Sequence, residues 1–204
     1  MWALVPRRLQ VLIIVAGTII SFIAVQAAMA AIAGTAINPL QTISAVAFIV
    51  GSLASLVFAV AWRPLWRALP WLARHTFPDL NGEWKGELIS TWVDPTTGKG
   101  VPPIPTTIHI AQGLFSLSVK LQTGESKSYS LRCFLEAFHD AGRFRIWYTY
   151  SNSPMARFRY RSAPHNGIAW LECDMDKSCD ELFGIYYTDR KTTGDITVRR
   201  NDVH

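Results

Sequence analysis

The stretch Leu114–Leu121, LFSLSVKL, decides the fold. Phe115, Leu117, Val119 and Leu121 alternate with Ser116, Ser118 and Lys120, and a period of two sends the two sets to opposite faces of a strand. In Tyr129–Ala137, YSLRCFLEA, the residues Tyr129, Leu131, Cys133, Leu135 and Ala137 form a second such face, interrupted only by Phe134. Comparable runs occupy residues 83–92, 104–111, 143–150, 156–162, 167–174, 181–189 and 194–200. Turn signals separate them: Asp94-Pro95, Gln112-Gly113, Thr123-Gly124, Ala141-Gly142, Ser151 to Pro154, Asn166-Gly167 and Lys191 to Gly194. Short strands joined by hairpins predict a small antiparallel β-barrel of about eight strands, lipocalin-like in size, over residues 79–204. A barrel of that size is filled by side chains or holds one small ligand.

Upstream the pattern is different. Only 17% of the 204 residues are charged, and none of them falls between Leu9 and Trp62. Two uncharged runs predict a two-helix transmembrane hairpin within residues 1–62, with spans at about 9–32 and 42–62. Arg7 and Arg8 precede the first run, Arg63, Arg67 and Arg74 follow the second, and the connection GTAINPLQ carries no cation. The positive-inside rule then places both termini in the cytoplasm. Small residues recur at Ala24, Ala27, Ala28, Ala31 and Gly34, and at Gly51, Ser52, Ala54 and Ser55. They suit packing within the hairpin or lateral assembly between copies. Residues 63–78 mix arginine with tryptophan and leucine and read as an interfacial linker broken by Pro64, Pro70 and Pro78.

A net charge of +5 favours anionic partners. Three cysteines without metal-type spacing point to reduced structural thiols. The histidines are scattered, no nucleophile elbow, zinc-protease helix or phosphate loop occurs, and Asp174–Glu181 lacks the glycine and glutamate of a calcium loop. Neither an enzyme nor a metal site is expected, and no cofactor. In a hairpin over 143–162, Ile146 would pair with Tyr160 and Tyr148 with Phe158, leaving Arg143, Arg145, Arg157, Arg159 and Arg161 on the opposite face, as a solvated stripe, one attracted to anionic lipid, or one that binds a phosphate ligand.

Two motifs bear on function. In GIYYTDR, residues 184–190, spacing two puts Gly184, Tyr186, Thr188 and Arg190 on one strand face. That set offers an aromatic plane, a hydroxyl and a guanidinium to a nucleotide. In NGEWKGEL, residues 81–88, the Gly-x-Trp start resembles that of lipocalins, in which an arginine of the last strand covers the tryptophan. Trp84 and Arg190 are thus either a closure pair or ligand contacts.

Taken in order, the two apolar spans, FPDLNGEWKGEL and GIYYTDRKTTGDI resemble the two-transmembrane, β-strand-rich effectors of bacterial cyclic-oligonucleotide antiphage signalling (CBASS). The resemblance implies a cytoplasmic barrel that receives a cyclic dinucleotide from a cognate nucleotidyltransferase. It further implies a homo-oligomer on activation and disruption of the bacterial inner membrane, leading to abortive infection. Membrane lipid is then a partner and a nucleic acid polymer is not. The candidate ligand-binding residues are Tyr186, Thr188, Arg190, Trp84, Tyr148 and Tyr160. A membrane-tethered carrier of an apolar small ligand is the alternative, and a plain structural subunit with a filled barrel is a third reading.

Overall fold

The computed structural model describes residues 4–5, 7–33, 39–56, 62–69, 76–174 and 179–201. The chain forms two compact units, Trp2–Pro70 and Trp71–His204.

In the first unit, helix α1 spans Arg7–Ala33, α2 spans Pro39–Leu56 and α3 spans Trp62–Ala68. One described helix is long and apolar enough to cross a membrane by length and composition, over Arg7–Ala28. The apolar part of α2, Thr42–Ser52, is shorter. The second span expected at 42–62 is therefore not established: residues 57–61 lie outside the described ones, and Trp62 opens a separate helix. Pro64 is accommodated there because the first turn of a helix has no use for its amide hydrogen. Trp62 is 3% exposed and meets Trp66 edge-on at 6.0 Å. Within this unit Ser21, Val25, Thr42 and Val46 are buried, whereas Ala24, Ala27, Ala28, Ala31 and Gly51 are exposed. Among the described residues these small side chains are thus not what packs this unit internally; Gly34 and the side chains of Ala54 and Ser55 lie outside the described ones.

The second unit is a closed barrel of eight antiparallel strands in sequence order. They are β1 Gly82–Ser90, β2 Ile104–Gln112, β3 Leu117–Thr123, β4 Ser126–Phe138, β5 Arg143–Pro154, β6 His165–Asp174, β7 Glu181–Thr188 and β8 Thr193–Arg200. Alternation fills the interior, with Ile108, Phe144, Ile146, Leu171, Leu182, Ile196 and Val198 at most 2% exposed. Closure brings strand backbones close at Gly86 and Gly184, where a Cβ would collide with the carbonyls of Thr197 and Trp170. Glycine at these places lets a small barrel coil tightly.

Three sequence expectations change. Residues 156–162 form a 3-10 turn and loop, and β5 instead runs on to Pro154 and pairs with β6 over Arg143–Asn152, so that Ile146 faces Leu171 and Tyr148 faces Ala169. The five-arginine stripe is consequently split. Arg143 and Arg145 stay on the outer face and bind the carboxylate of Glu172 at 2.9 and 2.7 Å, while Arg157, Arg159 and Arg161 belong to the loop. Arg145 also stacks 4.5 Å from Trp170, and under these side chains Glu172 is only 1% exposed. Asn166-Gly167 is not a turn either but lies within β6. In β4, a register shift between Ser130 and Arg132 reverses the faces. Tyr129 and Leu131 are exposed, whereas Cys133 and Leu135 lie opposite Tyr148 and Ile146 of β5. A strand with a bulge cannot keep one face along its whole length.

The cysteine expectation is also corrected. Cys173 and Cys179 form a disulfide with a Cα separation of 5.1 Å, and Cys133 is free. The Cys179 amide donates to the Asp174 carbonyl, and a left-handed φ of 54° at Cys179 turns the chain back toward β6.

Candidate functional site

The two ends of the barrel differ. At the end where the chain enters from Thr76 to Leu80, Phe77, Leu80 and Trp84 are all but fully buried. Gln112 ties this segment to β2, accepting from the Leu80 amide at 2.7 Å and donating to the Pro78 carbonyl at 3.0 Å. The indole of Trp84 donates to the Leu80 carbonyl at 3.1 Å. Arg200 lies 4.4 Å above the ring and donates to the carbonyls of Asn81 and Asp79, each at 2.8 Å. The arginine that covers Trp84 is therefore Arg200 and not Arg190. Register explains this: Arg200, last residue of β8, is the cross-strand partner of Trp84 on β1. β7 ends at Thr188, which leaves Arg190 in the following turn at the far end.

That far end is open. A cavity of about 540 Å³ is lined by Tyr148, Tyr150 and Asn152 of β5, Ser128 of β4, His165 of β6, and Tyr186 and Thr188 of β7. The apolar floor includes Leu88 and Ile196. Two glycines make room for the aromatic rings. A Cβ on Gly167 would sit in the ring of Tyr150, and one on Gly194 in the ring of Tyr186. Each tyrosine lies flat across a neighbouring strand instead of projecting into solvent.

Burial pushes the hydroxyls of Tyr148, Tyr150 and Tyr186 up from the ordinary phenol value. Burial, reinforced by Arg190, lowers His165, although a bond to the Ala163 carbonyl opposes this. The inner wall is thus neutral at pH 7, able to form hydrogen bonds but carrying no charge.

The charges stand at the rim. Arg161, in the β5–β6 connection, pairs with Glu125 of the β3–β4 turn. Arg190 donates to the Ser162 hydroxyl at 3.3 Å and has no ion pair among the described residues. It is the rim cation best able to meet an anion without first giving up a carboxylate. Among the described residues no cluster of histidine, cysteine or carboxylate is placed to hold a metal.

Of the six sequence candidates, the structure brings together Tyr148, Tyr186, Thr188 and Arg190. It separates Trp84, buried under Arg200 at the other end, and Tyr160, which is 84% exposed on the β5–β6 connection and lines nothing in the cavity. An inward Tyr160 requires pairing with Ile146, whereas Ile146 pairs with Leu171 of β6. The sequence reading puts Tyr150 on the inner face of the 143–150 strand without naming it a candidate, and it misses Asn152, Ser128, His165 and Arg161. Asn152 continues the spacing of two from Ile146, Tyr148 and Tyr150, inside the turn expected to begin at Ser151.

The family described as Cap15, cyclic dinucleotide receptor domain, matches residues 75–200, well over half of the chain and the whole of the barrel. The chain belongs to this family. No curated protein matches the sequence. The resemblance to CBASS effectors seen in the sequence is therefore met by a family whose domain coincides with β1 to β8. The family is one of ligand-receiving domains and not of enzymes.

Proposed function

We propose that the barrel binds a cyclic dinucleotide at its open end and that the chain is an antiphage effector whose N-terminal helices act on the inner membrane. The observation that carries this reading is the pocket of a cyclic dinucleotide receptor family member: tyrosine faces and neutral hydrogen-bonding groups inside, and at the rim an arginine with no ion pair among the described residues. A cyclic dinucleotide brings bases that stack on aromatic rings and phosphates that take bidentate contacts from a guanidinium. Tyr148, Tyr150, Tyr186 and Thr188 are assigned to the bases and sugars, and Arg190 to a phosphate.

Binding must also distinguish a resting from an active state, because a ligand with equal affinity for both shifts nothing. The active state we propose is a homo-oligomer. The exposed Ala24, Ala28 and Gly51 provide a smooth surface for lateral contact within the bilayer, and both spans of residues 1–62 then cross the inner membrane with cytoplasmic termini. The resulting breach of the membrane is the abortive response, and the cognate nucleotidyltransferase supplies the signal.

Titrating the full chain in detergent with cyclic dinucleotides, by calorimetry, tests the first step. Binding that weakens with added salt is expected. A chain that ignores every member of the panel and co-purifies with lipid in the barrel would overturn the reading in favour of an apolar-ligand carrier. Dye release from vesicles carrying the full chain, measured with and without the ligand, tests the last step.

A further inference from the structure

Three buried polar side chains on one wall of the pocket have no well-matched hydrogen-bond partner among the described residues. Ser128, Tyr148 and Asn152 are 5, 3 and 7% exposed. All line the cavity, on the neighbouring strands β4 and β5, with Ser128 directly opposite Asn152. Among the described residues the hydroxyls of Ser128 and Tyr148 make no hydrogen bond. No buried polar atom there is sealed off without a partner, so these oxygens open into the cavity.

Among the described residues the hydrogen-bonding contact of the Asn152 amide nitrogen is Nδ1 of His165 at 3.5 Å, and that Nδ1 also lies 3.1 Å from the Ala163 carbonyl oxygen. A carbonyl only accepts, so Nδ1 carries a proton and donates it there. The Asn152 amide nitrogen therefore faces another donor, and its own capacity is unused. Buried polar groups are nearly always satisfied, and exceptions concentrate where something else supplies the missing bonds. The guanidinium groups of Arg161 and Arg190, by contrast, belong to the rim.

We infer that the β4–β5 wall is a nucleobase-reading subsite: one base of the cyclic dinucleotide enters edge-on, and the Asn152 amide takes its adjacent donor and acceptor. Ser128 and Tyr148 supply adjustable hydroxyls on either side, and Tyr150 and Tyr186 offer ring faces. The phosphates stay at the rim with Arg190. The inference rests on the receptor reading above and adds a consequence to it. A single amide reads a single base, so recognition is asymmetric: one base is selected by its edge, and the other is tolerated.

The test uses the full chain in detergent and, as probes, cyclic di-AMP, cyclic di-GMP, cyclic di-UMP and cyclic UMP–AMP, with affinities by calorimetry. Asn152→Asp replaces the donor of the amide by an acceptor without changing its shape. It should reorder the panel by about tenfold or more between members, because a mismatched buried polar group is what discriminates between similar ligands. Arg190→Ala should weaken every member by a similar factor and flatten the salt dependence.

Wild-type chain that binds no probe overturns the receptor reading itself. Wild-type binding that Asn152→Asp leaves unchanged, or weakens equally for all probes, overturns the base-reading subsite alone. If Asn152→Asp does not fold, Tyr148→Phe replaces it, since the lost hydroxyl bonds nothing in the barrel. A changed ranking then supports the subsite, and an unchanged one overturns it.

Discussion

Replacing Arg200 with alanine should do far more damage than replacing Arg190. Arg200 stacks 4.4 Å over the fully buried Trp84 and donates two hydrogen bonds of 2.8 Å to the carbonyls of Asn81 and Asp79. The stack contributes about 1 kcal/mol. Each bond has a charged donor, but water partly reaches the two half-buried residues, so each contributes about 1 kcal/mol. The 3.8 Å pair with Asp180, a side chain 65% exposed, adds almost nothing. The loss is therefore about 3 kcal/mol, or roughly 10 °C in melting temperature for a domain of this size.

Arg190 is exposed and makes one long bond to Ser162, so its removal should stay within about 0.5 kcal/mol. Arg200→Lys should recover only part of the loss, because an ammonium cannot both stack flat and fork to two carbonyls. Thermal melts of the full chain in detergent, followed in the near-ultraviolet circular dichroism of tryptophan, give the comparison. Equal melting temperatures for Arg190→Ala and Arg200→Ala, or a larger loss for Arg190→Ala, would refute the assignment of the closure.

Three further outcomes are expected. Gly194→Ala and Gly167→Ala, which drive a Cβ into the rings of Tyr186 and Tyr150, should each destabilise by about 1–3 kcal/mol in chemical denaturation and reduce ligand affinity; Gly124→Ala, with open space around it, should do neither. Reducing the Cys173–Cys179 bridge, which closes a loop with a sequence separation of 6, should lower stability by about 2 kcal/mol, read as a shift in the melt with dithiothreitol that Cys179→Ser abolishes. His165, lowered in the fold by burial and by Arg190 with Asp189 opposing, binds its proton more weakly folded than unfolded. Stability should therefore fall as pH drops below about 6.5 and level off beneath the folded value, and His165→Gln should flatten that slope in melts taken from acid to neutral pH.

Much of the barrel was legible because its signal is local. Val119 and Leu121 of β3, or Ile196 and Val198 of β8, alternate with polar neighbours, and that alternation needs no partner strand to be read. The site was legible where it obeyed the same rule, as with Tyr186 and Thr188. It was obscured wherever a position depends on which strand lies opposite. Tyr160 looked inward only under a pairing with Ile146 that the fold does not make. Asn166-Gly167 looked like a turn, whereas glycine there serves the ring of Tyr150 from the next strand. Ser128 carries no sequence signal, because a serine in a strand reads as surface until closure buries it, and Asn152 shows only as the next place at spacing two after Tyr150, inside an expected turn.

The sequence by itself determined that an apolar, uncharged N-terminal stretch precedes a small barrel, and that aromatic and cationic residues cluster late in the chain. Hydrophobic period and uncharged length are properties of neighbours along the chain, so they survive without coordinates. Only the tertiary structure decided that Arg200 and not Arg190 closes over Trp84, that Cys173 meets Cys179, and that β4 and β5 set Ser128, Tyr148 and Asn152 against an open cavity. Each of these depends on register across the closed β1–β8 seam, on a bulge in β4 or on the left-handed backbone at Cys179, and those choices are made by the packing of the whole barrel.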